Sequence, residues 1–374
     1  MTDARSPGPT DPGPAATASS TSRAAAGTAG RPRRDAAAGG PLFAAVGRIT
    51  VSASWRFGLA AAAAAALFGA VYGVFVLSLP GQRLENIALM GAQLRGAAAR
   101  EESLTVLSQV TVLTFALALV GIAAIAFVRR RPGLGVLVAG VMGISTVVAE
   151  LLKDVLPRPA LVEGPVWILR NDFPSGTATV AAALGIGALL VSPDRLRWLV
   201  LPVGAIFAAI IGQSTQITGW HRMSGAIGGV LLVLAFASAA LVVLARVGLV
   251  QPTSLGRVHP KLRAVILVLP AVALIVAVAA LTLLVAFPLL QVPENADAVF
   301  LHTVFELLGF AFTIAAFVVF ASVIEPYSFG RSGRPMAALA GGPPADGPPA
   351  AGPPGAGLRR GSDAPPTTDR HEND

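Results

Sequence analysis

The chain has 374 residues, of which 54% are hydrophobic and only 13% are charged, and its mean hydropathy is +0.70. This balance excludes a soluble globular domain and indicates a protein of the lipid bilayer. The absence of cysteine excludes disulfides, thiolate metal sites and cysteine nucleophiles. The net charge of +8 is typical of a membrane protein whose basic residues set its orientation, so we predict no nucleic-acid partner.

The N-terminal stretch 1–53 is rich in Ala, Ser, Thr, Pro, Gly and Arg and has no apolar periodicity. This composition predicts a disordered, basic cytoplasmic arm. The tail 326–374 is similar and repeats Gly-Pro-Pro, which predicts a second disordered cytoplasmic segment. We interpret both segments as solvated linkers, with docking of a partner as the alternative.

Eight apolar segments between these ends are long enough to cross about 30 Å of hydrocarbon, which takes roughly 20 helical residues. They are 57–79, 104–128, 133–152, 174–192, 198–217, 224–247, 264–289 and 299–323. This pattern predicts an all-α, polytopic integral membrane helix bundle. We assign a six-helix core to 54–250 and two additional transmembrane helices to 251–325.

The connection between the first two segments has a pattern of its own. Its apolar residues Leu84, Ile87, Met90 and Leu94 recur at helical spacing on one face. This spacing predicts a helix that lies in the membrane interface.

Basic residues are concentrated after the even-numbered segments, whereas the connection after the first segment mixes arginines with glutamates. Arg129-Arg130-Arg131 follows the second segment, and the connection after the seventh carries only Glu294 and Asp297. By the positive-inside rule, both termini are predicted to be cytoplasmic and the odd-numbered exits to face the outside of the plasma membrane.

Three short stretches at the outer side combine groups that suit a phosphate. Lys153 and Arg158 follow the third segment, where an ammonium and a guanidinium can bind phosphate oxygens; Glu150, one turn earlier, can pair with Lys153 or with a neighbouring helix. Pro174-Ser175-Gly176 opens the fourth segment and offers a hydroxyl and N–H groups at a helix N-terminus. His221 precedes the sixth segment, and a neutral imidazole there can attack phosphorus.

Together the stretches Lys153 to Pro159, Pro174 to Thr177 and Ser214 to Gly225 resemble the motifs of the type-2 phosphatidic acid phosphatase superfamily. These are membrane lipid-phosphate phosphatases whose soluble relatives include vanadium haloperoxidases. The resemblance covers about 55–247. It implies hydrolysis of a membrane lipid phosphate, either phosphatidic acid or a polyprenyl diphosphate, without a metal or another cofactor.

The resemblance assigns roles residue by residue. It implies His221 as the catalytic nucleophile and Lys153, Arg158, Ser175 and Gly176 as phosphate-binding residues. Arg158 lies closer to Lys153 in the sequence than the family pattern requires, so its match is looser.

Three working side chains of the family are replaced in this chain. The leaving-group acid falls on Thr177, a phosphate-binding arginine on Thr215, and the aspartate that orients the histidine on Gly225. A positioned general acid contributes about 10²–10⁴-fold to the rate, and one preorganised electrostatic donor about 10²–10³-fold. We therefore predict weak or absent hydrolysis. The alternatives are a non-catalytic lipid-phosphate-binding or regulatory protein and, third, a transporter or scaffold.

Several nearby residues could stand in for the missing groups. Arg170 and Arg222 could replace the guanidinium and Asp172 the carboxylate, although exposed loop charges are more often solvated. His302 and Glu306, four residues apart in the last apolar segment, are functional candidates because ionisable groups are rare inside membranes. The alternative for this pair is a helix contact near the interface.

Overall fold

The protein is described here by a computed structural model that covers residues 40–164, 169–253, 260–286 and 294–329. The chain divides into two units, Met1–Ile49 and Thr50–Asp374, and nearly all of the described residues belong to the second. Within these ranges the protein is a mostly helical membrane bundle, as the sequence predicts.

Ten α-helices and two short strands are the main elements of the described residues. The helices are α1 (Gly40–Val71), α2 (Leu79–Leu94), α3 (Ala97–Ser108), α4 (Val112–Val128), α5 (Pro132–Val155), α6 (Gly176–Val191), α7 (Arg197–Ile217), α8 (Met223–Arg246), α9 (Pro260–Ala286) and α10 (Glu294–Ile324). A π-helical turn, Tyr72–Val76, follows α1. Strands β1 (Val250–Pro252) and β2 (Tyr327–Phe329) pair antiparallel, with Val250 opposite Phe329.

Five helical stretches among the described residues are long and apolar enough to cross a membrane. They are Val51–Val76, Pro132–Val155, Asp194–Ile217, Met223–Arg246 and Asp297–Ile324. Helices α3 and α4 would make a sixth as one span, bent by 48°. The predicted fourth segment forms the shorter helix α6, and the side chains of 276–286 in α9 lie outside the described residues. A multi-pass membrane protein is confirmed, but a count of eight spans is not.

The division into a six-helix core and two added helices is not confirmed either, because α10 packs at the centre of the bundle. Its Phe317 is fully buried. A Cβ on Gly185 of α6 would lie 2.8 Å from the Phe317 ring, and one on Gly204 of α7 would lie 3.1 Å from the Gly185 Cα. The two glycines let the helices approach closely, and α10 fills the remaining space.

Helix α2 exposes the apolar face that its spacing predicts, since Leu84, Ile87, Met90 and Leu94 are all exposed. Its opposite face carries polar side chains that are buried against the bundle. A Cβ on Gly91 would lie 1.9 Å from the carbonyl oxygen of Ala298 in α10. Close packing against α10 therefore fixes which face of α2 turns inward.

The two ends of the bundle differ in chemistry. At one end α5 and α7 finish and α6 and α8 begin, and the site described below lies there. At the other end Arg131 Nη1 donates to the Phe329 carbonyl at 2.7 Å and Arg197 Nη1 to the Tyr327 carbonyl at 2.8 Å. These arginines hold β2 in place.

Both predicted terminal segments fall mostly outside the described residues. Helix α1 begins at Gly40, within the predicted arm 1–53, and β2 extends to Phe329, within the predicted tail 326–374. Regular structure thus reaches further in both directions than the predicted boundaries.

Candidate functional site

The end of α5 supplies the first charged pair of the site. Lys153 Nζ contacts both carboxylate oxygens of Glu150 at 2.9 Å, so the first of the two alternatives for Glu150 is present. The side chain of Lys153 is 22% exposed and that of Glu150 is 60% exposed. The next segment is held by Asn171, whose Nδ2 donates to the carbonyls of Lys153 and Leu156 at 3.1 and 2.9 Å.

Ser175 and Gly176 form the start of α6. Ser175 is fully buried, and its Oγ accepts a hydrogen bond from the Ala178 N–H at 3.3 Å, which is an N-cap. A Cβ on Gly176 would lie 1.9 Å from Glu150 Oε1 and 3.3 Å from Lys153 Nζ. The carboxylate of Glu150 therefore lies against the helix N-terminus, where the helix dipole favours an anion.

The turn between α7 and α8 carries His221. The carbonyl of Thr215 accepts hydrogen bonds from the N–H groups of Trp220 and His221 at 3.0 and 3.1 Å. Gly219 adopts a φ of +71° in this turn, a conformation that glycine reaches without steric cost. The backbone of His221 is thus held by the turn itself, independently of the contacts of its side chain.

The ring of His221 is held by a backbone carbonyl. Its Nδ1 lies 3.0 Å from the Asp172 carbonyl oxygen. Burial lowers the pKa of His221 below its usual value, and the charge of Lys153 lowers it further, whereas Asp172 and Glu150 act in the opposite direction. The net effect favours the neutral imidazole at neutral pH.

Asp172 and Arg222 form the central ion pair. The Asp172 carboxylate accepts hydrogen bonds from the Arg222 backbone N–H at 2.8 Å and from Arg222 Nη1 at 2.7 Å. Burial by itself would raise the pKa of Asp172, but the charges of Arg222, His221 and Arg158 and the backbone N–H together hold it below its usual value. Asp172 is therefore ionised, and its carboxylate is engaged by Arg222.

Helix α2 contributes two polar residues that the sequence analysis did not identify. Asn86 Oδ1 accepts from Arg222 Nε and Nη2 at 3.2 and 2.9 Å and from Arg158 Nη2 at 3.4 Å. The carboxylate of Glu85 accepts from the backbone N–H and the Oγ of Ser224 at 2.8 and 2.9 Å. Burial, reinforced by the nearby Asp172 charge, raises the pKa of Glu85 to about 7.

A sequence signal for these residues exists. Gln82, Glu85 and Asn86 follow the i, i+3, i+4 spacing of a helix, opposite the apolar face of the same segment. A polar stripe on a helix whose other face is apolar indicates a buried polar contact when the apolar face meets lipid. Gln82 confirms this reading, because its Nε2 donates to the Pro159 carbonyl at 2.7 Å.

A cavity of about 360 Å³ brings several of these groups together. Its wall includes Lys153, Arg170, Asp172, Trp220, His221 and Arg222. The predicted nucleophile and the predicted first phosphate ligand thus share one cavity. The other predicted ligands, Arg158, Ser175 and Gly176, are not part of its wall among the described residues.

Arg158 nevertheless lies next to this cluster. It shares the Asn86 oxygen with Arg222, and its charge acts on Asp172. Its Nη1 is buried and has no hydrogen-bond partner in the described part of the chain. Buried donors are nearly always paired, so this N–H is suited to an anion bound beside the cluster.

The structure also shows the surroundings of Thr177, Thr215 and Gly225, the three positions where the resemblance implies that a working side chain is missing. Thr215 is buried, and its Oγ1 donates to the Gly212 carbonyl at 2.7 Å. Thr177 is partly buried in the first turn of α6. A Cβ on Gly225 would lie 3.0 Å from the Asp172 carbonyl oxygen, the same oxygen that contacts His221. The backbone of Asp172 therefore occupies the space beside Gly225.

His302 and Glu306 form a buried contact within α10. His302 Nε2 lies 2.8 Å from Glu306 Oε1, and Arg95 Nη1 pairs with the same oxygen at 3.0 Å. Arg95 lies just beyond α2, so this group ties α10 to the chain that leaves α2. In the described residues, no group of three or more His, Cys, Asp or Glu side chains could hold a metal ion.

Comparisons of the chain with family models, with curated proteins and with solved structures give no match in any of the three. The likeness to the phosphatase superfamily therefore rests on the motif residues alone.

Proposed function

We propose that this protein binds the phosphate group of a membrane lipid, phosphatidic acid or a polyprenyl diphosphate, in the His221 cavity and hydrolyses it slowly or not at all. The single observation that supports this most is that Lys153 and His221, from different helix ends, line the same cavity. Arg170 and Arg222 add positive charge to its wall. Cations that converge on a cavity of this size suit a phosphate.

The cationic side chains differ in how far they are already engaged. Arg222 already donates hydrogen bonds to Asp172 and Asn86. It therefore contributes to phosphate binding mainly through its positive charge. Arg158 has the buried Nη1 described above. The ammonium of Lys153 pairs with the exposed carboxylate of Glu150, which an incoming phosphate can displace.

Slow hydrolysis is the second candidate, and the neutral state of His221 favours it. The lone pair of Nε2 would attack the terminal phosphorus, forming the N–P bond as the P–O bond to the leaving group breaks. The electron pair leaves on the lipid oxygen of phosphatidic acid, or on the bridging oxygen of a polyprenyl diphosphate. Water would then displace the imidazole and release phosphate. The leaving oxygen needs a proton, and Thr177 is a poor donor near neutral pH; without a general acid the step loses about 10²–10⁴-fold.

The orientation we propose places the site outside the plasma membrane and both termini in the cytoplasm. The arginines at the opposite end of the bundle support this. Arg129, Arg131 and Arg197 lie there, as the positive-inside rule requires of a cytoplasmic end. Trp220, at the site end, is 51% exposed, which suits an aromatic side chain at the membrane interface.

Purified protein in detergent micelles tests the proposal with dioctanoyl phosphatidic acid and undecaprenyl diphosphate. We expect binding that weakens at least about 10-fold in Lys153→Gln, since a hydrogen bond to a charged group contributes about 1.5–3 kcal/mol. Arg83→Gln is the matched control, because Arg83 is exposed on α2 and lies outside the cavity wall. Equal binding by the protein and by Lys153→Gln would refute the proposed site.

Phosphate release separates the two candidates. If the protein releases phosphate and the His221→Ala variant does not, slow hydrolysis is established. Binding without release would establish the non-catalytic alternative.

A further inference from the structure

The contact between His221 and Asp172 determines the protonation of the ring. A carbonyl oxygen can only accept a hydrogen bond, so the 3.0 Å contact with Nδ1 requires a proton on Nδ1. In the neutral ring Nε2 then keeps its lone pair. His221 lines the cavity, so this nitrogen is the one left to meet a phosphate.

Gly225 makes this contact possible. Its own carbonyl accepts from the Ser175 N–H at 2.9 Å, and a Cβ on it would lie 3.0 Å from the Asp172 carbonyl oxygen. Such a distance is tighter than nine in ten real Cβ contacts, so a side chain at 225 would require the Asp172 carbonyl to move by a few tenths of an ångström. The glycine that replaces the family's orienting aspartate leaves room for a backbone carbonyl that makes a bond to the histidine.

The carbonyl is in turn held by the side chain of the same residue. The Asp172 carboxylate is bound by Arg222 through two hydrogen bonds, and Arg222 is bound by Asn86 of α2. The side chains of Asp172 and Arg222 are only 11% and 2% exposed. A buried network of this kind is rigid because moving one polar group would leave the hydrogen bonds of the others unsatisfied.

We infer that Asp172 is the positioning residue of His221. Its backbone carbonyl selects the Nδ1–H tautomer, and its carboxylate, clamped by Arg222 and Asn86, keeps that carbonyl in place. This inference deepens the proposed function, since it assigns Nε2 as the nitrogen that meets the phosphate. The tautomer itself can be measured without any ligand.

The alternative is that Asp172 and Arg222 form an ion pair that only stabilises the fold. A stabilising pair would affect the melting temperature of the protein and leave the tautomer of His221 unchanged. The ring nitrogens therefore provide the deciding readout.

The experiment is ¹⁵N NMR of histidine-labelled full-length protein in micelles. The chain has four histidines, and His221→Gln assigns the signals of His221. We expect the Nδ1–H tautomer in the protein and in Asp172→Asn, whose amide oxygen still accepts from Arg222. In Asp172→Ala the tautomer ratio should change roughly five-fold towards Nε2–H, the equivalent of one ordinary hydrogen bond.

Two further variants keep the test decisive if Asp172→Ala does not fold. Asn86→Ala removes one of the acceptors of Arg222, and Gly225→Ala displaces the Asp172 carbonyl by a few tenths of an ångström. Both variants should move the tautomer ratio of His221 in the same direction. An Nδ1–H tautomer that persists in every folded variant, or an Nε2–H tautomer in the unaltered protein, would overturn the inference. An Nδ1–H tautomer in a protein that fails to bind phosphatidic acid would instead reject only the proposed function.

Discussion

Glu150→Gln should tighten phosphate binding, because Glu150 occupies the place that a phosphate would take. Both of its oxygens lie 2.9 Å from Lys153 Nζ, and one lies against Gly176 at the start of α6. A phosphate that approaches Lys153 must displace this carboxylate. Removing its charge removes the competitor and leaves the shape of the side chain almost unchanged.

The size of the effect follows from exposure and charge. The Glu150 side chain is 60% exposed, and such exposed ion pairs contribute about 0.2–1 kcal/mol. Repulsion between the carboxylate and a phosphate in a well-solvated setting adds about 1 kcal/mol. The sum of about 1–2 kcal/mol corresponds to a Kd that is roughly 5- to 30-fold lower.

Isothermal titration calorimetry with inorganic phosphate and with dioctanoyl phosphatidic acid measures this change. Asp154→Asn is the matched control, since it removes one charge from an exposed residue on the same helix end. If both variants gain affinity equally, the effect is a general one of surface charge and Glu150 does not compete for the site. If Glu150→Gln binds no better than the unaltered protein, the displacement reasoning is wrong.

Three further predictions concern stability, measured by thermal unfolding in micelles. The pKa of Glu85 is raised to about 7, so protonation of its carboxyl stabilises the fold. This stabilisation, about 3 kcal/mol, is complete below pH 4.5 and is lost as the pH rises towards 7 and above. Glu85→Gln should flatten the pH dependence of the melting temperature in this range, and an unchanged dependence would contradict the assignment. Ser175→Ala should lower the free energy of unfolding by about 0.5–2 kcal/mol, because the N-cap of α6 is lost. Ser175→Thr should retain most of the stabilisation from the cap. Equal melting temperatures for the two variants would argue against a cap. Gly185→Ala should destabilise the fold by roughly 1–3 kcal/mol, because the added methyl group is overpacked against Phe317. Gly140→Ala is the control and should not destabilise the fold, since its added methyl group meets no atom within 4 Å. If Gly185→Ala leaves the melting temperature unchanged, central packing of α10 is contradicted.

Part of the site could be predicted from the sequence because it depends on where helices end. Lys153 closes one apolar segment and His221 precedes another, and both ends were predicted on one side of the membrane. Their meeting in one cavity needs only that neighbouring helices lie antiparallel. The pairing of Lys153 with Glu150 also follows from their spacing on one helix.

Other parts of the site depend on helix rotation and on the path of the loops, which local patterns do not specify. Asn86 reaches Arg222 from α2, a helix whose Gly91 packs closely on α10. The bond from His221 to the Asp172 backbone has no side-chain signature, since every residue carries a carbonyl. Arg222 and Asp172, considered as stand-ins for lost groups, form an ion pair with each other, which their positions in the sequence do not indicate.

The sequence by itself determined that this is a multi-pass helical membrane protein, since hydropathy adds up residue by residue along each helix. Only the tertiary structure decided that α10 belongs to the centre of the bundle and that α2 turns its polar face towards the site. Both outcomes depend on close contacts between elements far apart in the chain, such as Phe317 against Gly185. Contacts of this kind depend on the shapes of both partners, so neither segment specifies them alone.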